Sequence, residues 1–309
     1  MHQTGTSGPE FLAVGETMAM IAPAVGGRLT DAEAFILDAG GAESNVAAHV
    51  AALGRRAGWF SRLGDDALGR RVARQLTRRG VELAGLVFDG EHPTGLYVKD
   101  PGACVSYYRR GSAAANLTTS DAAAVPLDGV RVLHVSGITA AISATAAAFL
   151  DRLVGRARRS GIAVSFDVNY RAQLWTRAAA GTALDPLVRQ ADIVFVGRDE
   201  AERLWGTGDA SSVHRRFPEP GELIVKDGEV GATVFAGDDR VFEPSLPVEV
   251  VDAIGAGDAF AGGYLAAYLV GATLGERLRA GHARAVLTLR TTGDFVRERW
   301  SDDQHGQLV

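Results

Sequence analysis

The sequence predicts an α/β fold, a three-layer arrangement with a mainly parallel sheet flanked by helices and a small β lid at its edge. Short apolar runs rich in β-branched residues alternate with helix-length segments rich in Ala, Leu and Arg. The runs are continuously apolar, as strands covered on both faces are. Two segments, approximately 17–39 and 92–110, break this alternation with Gly, Pro and β-formers and lack helical spacing, so they are assigned to the lid.

Phe11–Gly15 is an apolar run closed by glycine and gives the first strand. Glu43–Leu53 carries Ala and Val on one face and reads as a helix, followed by the strand-like Ala57–Leu63. In Asp66–Arg79 the residues Leu68, Val72 and Leu76 lie four apart, which is helical spacing. Thr94–Lys99 and Cys104–Arg109 are expected to pair as a hairpin across Pro101-Gly102. Val130–Val135, Ala163–Val168, Ile193–Val196 and Leu223–Val225 are predicted strands. Gly257–Val270 and Leu274–Thr288 read as two adjacent helices. With no internal repeat and no linker, residues 1–309 are expected to form one domain.

Composition narrows the function classes. A hydrophobic fraction of 47% against 22% charged residues excludes a disordered chain. The lone Cys104 cannot form an internal disulfide, which suits a reducing cytoplasm. Net charge is −5 without a basic stripe, so no nucleic-acid partner is expected. No run reaches the roughly 18 apolar residues that span a bilayer; Ile138–Leu150 and Ala259–Ala272 are short and interrupted. Met1–Glu10 has no basic region typical of a signal peptide, and it and Arg297–Val309 are expected to be frayed tails. Lysine occurs only at 99 and 226 and no Gly-Lys phosphate loop exists, so ATP would have to be bound another way.

The sharpest motif runs from Val250 to Gly263, VVDAIGAGDAFAGG. A β-branched stretch enters a small-residue turn that opens into an apolar helix. The first N–H groups of a helix lack intrahelical acceptors and carry the positive end of its dipole, so they attract anions. Gly255 and Gly257 let the backbone approach an anion closely, and Asp258 stands in the first turn beside it. A carboxylate there can take a proton from an attacking hydroxyl while the hole holds a transferring phosphoryl group. Gly40-Gly41 before a helix, with Asn45 four residues on, offers further backbone donors and an amide for a sugar hydroxyl.

These segments resemble the signatures of the ribokinase-like carbohydrate kinases, the phosphofructokinase-B family. The resemblance rests on Ala39–Ala47 followed by Leu53-Gly54, on Leu63–Gly69 (LGDDALG), and on Val250–Gly263, in the family's order, and extends from about Phe11 to Phe295. It implies a ribokinase-like fold and an ATP-dependent sugar kinase in which Asp258 and the Gly255-Ala256-Gly257 backbone do the chemistry. It further implies sugar contacts from Gly41 and Asn45, and nucleotide contacts from Asn169, Lys226, Gly228, Gly231, Gly255 and Gly257. Glu200 matches the family Glu that organises magnesium through water, although Gly197 stands where Asn is usual. Asp252 matches a residue that helps bind a monovalent cation such as potassium, although Ala253 stands where Thr is common.

The lid sequence Tyr107–Ala113 and the strand-end sequence Phe166–Arg171 place several tyrosines and arginines near the sugar. That is more positive charge than a neutral hexose needs, and a guanidinium matches a carboxylate in bidentate fashion. Both segments, with Gly95–Tyr97, resemble the 2-keto-3-deoxygluconate kinase branch, so Tyr97, Tyr107, Tyr108, Arg109 and Arg171 are expected to contact a sugar acid. A homo-oligomer is expected. The alternatives are a fructokinase or other sugar kinase of this family, and an inactive sugar- or nucleotide-sensing module.

Overall fold

The computed structural model describes residues 8–100, 105–291 and 295. The chain opens with β1 (Phe11–Val14), β2 (Met18–Pro23), β3 (Phe35–Gly40) and α1 (Ala42–Ala52). Next come β4 (Ala57–Phe60), β5 (Arg62–Gly64), α2 (Ala67–Arg78), β6 (Glu82–Leu83), β7 (Val87–Asp89), β8 (Leu96–Lys99) and β9 (Val105–Tyr108). The middle holds α3 (Thr119–Ala124), β10 (Val132–Ser136), α4 (Gly137–Ile142), α5 (Ala144–Arg159), β11 (Ala163–Asp167), α6 (Arg177–Gln190) and β12 (Ile193–Gly197). It closes with α7 (Arg198–Trp205), α8 (Ala210–Arg216), β13 (Glu222–Asp227), β14 (Gly231–Ala236), β15 (Asp239–Pro244), α9 (Ala256–Leu269) and α10 (Leu274–Leu289).

Nine strands form the central sheet in the order β15-β14-β13-β12-β11-β10-β1-β4-β6. From β13 to β6 every pairing is parallel, and β14 and β15 add an antiparallel edge. Alternate residues of each inner strand enter opposite cores. Leu12 and Val14 pack with Phe149, Leu153 and Leu184 on one face, while Phe11 and Ala13 pack with Val46, Leu76 and Tyr264 on the other. Helices α1, α2, α9 and α10 cover that second face. This is the ribokinase-like three-layer fold. Among the described residues, no helix is long and apolar enough to cross a membrane.

Segments 17–39 and 92–110 contribute a separate four-stranded sheet, β3-β2-β8-β9, with β8 and β9 antiparallel. Its turn at Pro101-Gly102, Cys104, and the tail Arg297–Val309 lie outside the described residues, as does most of Met1–Glu10. The end of that N-terminal segment belongs to the body: Glu10 is buried, salt-bridged to Arg55 and, at 3.3 Å, to Arg131. Ala57–Leu63 is two strands rather than one. It breaks at Ser61 so that β5 can leave the central sheet for β7, where Arg62 bridges Asp89 at 2.8 Å and Asp121 at 3.1 Å. Ile138–Leu150 divides between α4 and α5 at Ser143, whose hydroxyl accepts from the Ala146 N–H.

Within the Leu63–Gly69 motif, Asp66 ties α2 to the lid. Asp66 caps α2 through the Gly69 N–H at 2.7 Å and accepts from Thr94 N–H at 2.8 Å, just before β8. Burial pushes the Asp66 carboxyl up, but these backbone donors outweigh it and hold its pKa below the usual value.

The glycines late in the Val250–Gly263 motif are packing devices. Helix α9 is apolar all round and lies buried between α1 and α10. A Cβ at Gly262 would stand 2.5 Å from the His49 Cβ, and one at Gly263 would stand 2.3 Å from the Ala280 carbonyl oxygen. Gly263→Ala is therefore expected to cost about 1–3 kcal/mol, as overpacking does, read as a lower denaturant midpoint. The buried Asp89 gives a second expectation. Although desolvation opposes it, hydrogen bonds from Glu91, Arg62 and His92 bring its pKa to about 2. A depressed carboxylate stabilises the fold above its unfolded value and loses that contribution as the folded group protonates. Unfolding titrations should show stability falling from about pH 4 to about pH 2, a fall that Asp89→Asn reduces.

Candidate active site

A cavity of about 490 Å³ opens at the carboxyl ends of the parallel strands, under the four-stranded sheet. Open α/β sheets bind ligands at this edge. Its wall combines Glu16 after β1, Gly41 before α1 and Asn45 in its first turn, Asp167 at the end of β11 and Asn169 after it, Glu200 of α7, Lys226 of β13, and the turn into α9. The lid supplies Met18, Tyr97, Val105, Tyr107 and Arg109.

The turn into α9 opens on the cavity as a helix start without a capping side chain. Gly255 takes φ of 81°, a left-handed conformation that favours glycine, and caps the helix with no side chain. Gly255, Gly257 and Asp258 face the cavity, with the Ala256 backbone between them. Lys226 comes close behind: a Cβ at Gly257 would lie 3.6 Å from its Nζ. That ammonium bonds Asp167 Oδ2 at 3.0 Å. Burial lowers the Lys226 pKa, but Asp167 and Glu200 more than offset this, so the group stands above the ordinary lysine value.

Asp258 is held from across the chain. Asn45 Nδ2 donates to its Oδ2 at 3.0 Å, and the buried Asn45 Oδ1 has no protein donor among the described residues. The neighbouring Glu43 is fully buried and accepts from Ser136 at 2.7 Å and Thr139 at 3.0 Å. Burial pushes its carboxyl up. Gly15 is required beneath it, since a Cβ there would sit 2.1 Å from the Glu43 carboxyl carbon. Gly41 likewise lets the chain at Glu16-Thr17 pass, with only 2.3 Å between a Cβ and the Glu16 carbonyl.

On the lid side, Tyr97 and Tyr107 are opposed in register and line the cavity together, their ring centroids 5.8 Å apart. Arg109 also lines it but is salt-bridged to the buried Glu16, which accepts a further bond from Ser112 at 2.8 Å. Arg203 pairs with Asp199 at 3.2 Å. Arg171 is exposed at the cavity, hydrogen-bonds the Tyr170 carbonyl at 3.3 Å, and enters no ion pair among the described residues.

Glu200 is tied to the backbone. It accepts from Tyr170 N–H and Gly197 N–H, both at 2.8 Å, and burial with the nearby Asp167 pushes its carboxyl up. Gly197, where the resemblance led one to expect Asn, leaves room for this: a Cβ there would stand 3.1 Å from Glu200 Oε2. Asn169 adopts φ of 44° at the end of β11, and its buried Oδ1 has no protein donor among the described residues.

Four expected site residues stand differently. Tyr108 lies on the opposite side of β9 from Tyr107, 65% exposed and outside the cavity wall, because side chains alternate along a strand. Gly228 sits in the β13–β14 turn beyond the wall. Gly231 is also outside it and is glycine for packing, with φ of 145° and only 2.4 Å between a Cβ and the Glu243 carbonyl. Asp252 does not offer an open cation site: Lys99 Nζ lies 3.4 Å from its Oδ2, and Ile254 N–H donates to its Oδ1 at 3.0 Å. The sequence reading missed Glu16, Asp167 and Lys99. The first two were signalled by an acid directly at the carboxyl end of a buried strand; no local pattern signals Lys99.

The signature of the pfkB family carbohydrate kinases matches residues 9–296. The chain belongs to this family. It is 34% identical over 295 residues to the 2-dehydro-3-deoxygluconokinase of Bacillus subtilis, covering 93% of this chain and 91% of that one. It is 33% identical over 296 residues to the 2-dehydro-3-deoxygalactonokinase of Haloferax volcanii, covering 93% of each. The crystal structure of the Thermotoga maritima 2-dehydro-3-deoxygluconokinase superposes with a TM-score of 0.87 at 26% identity, covering 96% of this chain and 98% of that one. The pfkB kinase described here is thus an enzyme of carbohydrate phosphorylation.

The Asn45–Asp258 bond predicts a kinetic effect. Asn45→Ala removes a hydrogen bond to a carboxylate, a contact of about 1.5–3 kcal/mol. A coupled ADP assay is expected to show a kcat/KM lowered by about ten- to two-hundred-fold in this variant.

Proposed function

We propose that this kinase transfers the γ-phosphoryl group of ATP to the terminal primary hydroxyl of 2-keto-3-deoxygluconate. The observation that carries the substrate class is the charge of the cavity. Arg109, Lys226 and Arg203 are each salt-bridged to a carboxylate, whereas Arg171 makes no salt bridge among the described residues and feels only the longer-range attraction of Glu200. One unmatched guanidinium suits one substrate carboxylate. The relatives that phosphorylate keto-deoxy sugar acids support the same reading.

In this reading Asp258 takes the hydroxyl proton as the oxygen attacks phosphorus. The backbone from Gly255 to Asp258 and the Lys226 ammonium hold the transferring phosphoryl group and stabilise its charge. Asn45 aims the Asp258 carboxylate through its Nδ2 hydrogen bond. Tyr97 and Tyr107 cover the sugar, and the lid excludes water that would otherwise accept the phosphoryl group.

Magnesium fits the residues present. No cluster of three or more His, Cys, Asp or Glu occurs among the described residues, but Asp167, Glu200 and the undonated Asn169 Oδ1 face the cavity together. Magnesium keeps several waters and needs one or two carboxylates besides phosphates. It would neutralise phosphate charge at a site without a P-loop lysine.

Asp258→Asn is expected to lower turnover by about a hundred- to ten-thousand-fold, the usual share of a general base, with sugar binding still measurable by calorimetry. A variant turning over at the wild-type rate removes Asp258 from that role. For substrate choice, the ratio of kcat/KM for keto-deoxygluconate over fructose is expected to be large in wild type. Arg171→Ala should cut it by about ten- to two-hundred-fold, the equivalent of roughly 1.5–3 kcal/mol for a charged hydrogen bond. A wild type that prefers fructose overturns the sugar-acid reading and leaves the Asp258 mechanism intact.

A further inference from the structure

Lys99 and Lys226, the chain's only lysines, both converge on the turn into α9. Lys226 approaches from the central sheet. Lys99 approaches from the lid: it lies on β8 two residues after Tyr97, hence on the same strand face, and is buried. Its Nζ meets Asp252 Oδ2 at 3.4 Å. The end of β8 is itself fastened, since the adjacent Asp100 accepts from Arg28 at 3.1 Å and from Leu29 N–H at 2.8 Å.

Asp252 shapes the turn, because its other oxygen accepts the Ile254 N–H. The Asp252 backbone N–H and that of Val251 are anchored on the Leu289 carbonyl of α10. A carboxylate at the entrance of an anion hole also repels the anion the hole must take. Something positive has to stand beside it, and in this protein that charge is an ammonium on the lid.

We propose that Lys99 is a positioning residue for phosphoryl transfer. Its ammonium cancels the Asp252 charge, so the turn accepts nucleotide phosphates without a monovalent cation, and only when the lid strand is over the sugar. The inference rests on the reading that the phosphates bind at Gly255–Asp258. It makes nucleotide binding and lid position interdependent, because one residue belongs to both.

The test is calorimetric binding of MgADP to the full-length protein, with potassium chloride or tetramethylammonium chloride as the only monovalent salt. Wild type is expected to bind equally in both. Lys99→Met should weaken binding by about tenfold or more in tetramethylammonium, as when one partner of a buried charge pair is left alone, and should regain part of it in potassium. Lys99→Arg, which keeps the charge, should remain near wild type and guards against a folding effect. The double variant Lys99→Met with Asp252→Asn should recover most of the loss, since the charge that needed cancelling is gone. Wild-type affinity in Lys99→Met overturns the inference, as does a double variant no better than the single one or a wild type that requires potassium. A wild type that binds no MgADP overturns the nucleotide reading itself, and the inference with it.

Discussion

The active centre depends on how closely α9 can lie against α1 and α10. Two adjacent glycines set that distance, one facing the His49 side chain and the other the Ala280 backbone. Because the helices touch at their backbones, the first turn of α9 arrives beside the first turn of α1. Asn45 and Asp258, 213 residues apart in sequence, then meet at hydrogen-bond distance. Gly41 performs the same service on the other side of α1, where the connection after β1 crosses it and delivers Glu16 to the cavity. The glycines of these motifs therefore serve assembly as much as ligand approach.

Three salt bridges in and beside the cavity each join two elements. Arg109 and Glu16 link lid to body, Lys226 and Asp167 link β13 to β11, and Lys99 and Asp252 link the lid to the turn into α9. Buried charges need such partners, because an isolated one is costly outside water. Pairing also removes these groups from the count of charges that a substrate meets. The guanidinium left without a salt bridge at the cavity among the described residues is Arg171, on the loop after β11.

The lid is fastened at its base by neutral and ionic contacts of different reach. Asp66 grips Thr94 at the entry to β8, and Arg79 just after α2 and Gln75 within it hold Asp38 of β3 at 2.7 and 2.9 Å. These contacts fix the hinge side of the sheet, while Glu16 and Asp252 meet its cavity side.

Local sequence decided most of the architecture. Continuously apolar runs such as Ile193–Val196 can satisfy both of their faces only inside a covered parallel sheet, so periodicity and composition were enough to place them. The small-residue turn before α9 was legible for a similar reason, because a helix start without a capping side chain, preceded by glycine, leaves donors for an anion wherever it occurs. Tertiary structure alone decided which charges are open. Arg109 and Arg171 read alike as arginines after a strand, and only the fold salt-bridges the first to Glu16 and leaves the second without a salt bridge among the described residues. It likewise turned Tyr107 inward and Tyr108 outward, and brought Lys99 across 153 positions to Asp252. Electrostatic pairing depends on distance in space, and a sequence encodes that distance only through the packing of everything between.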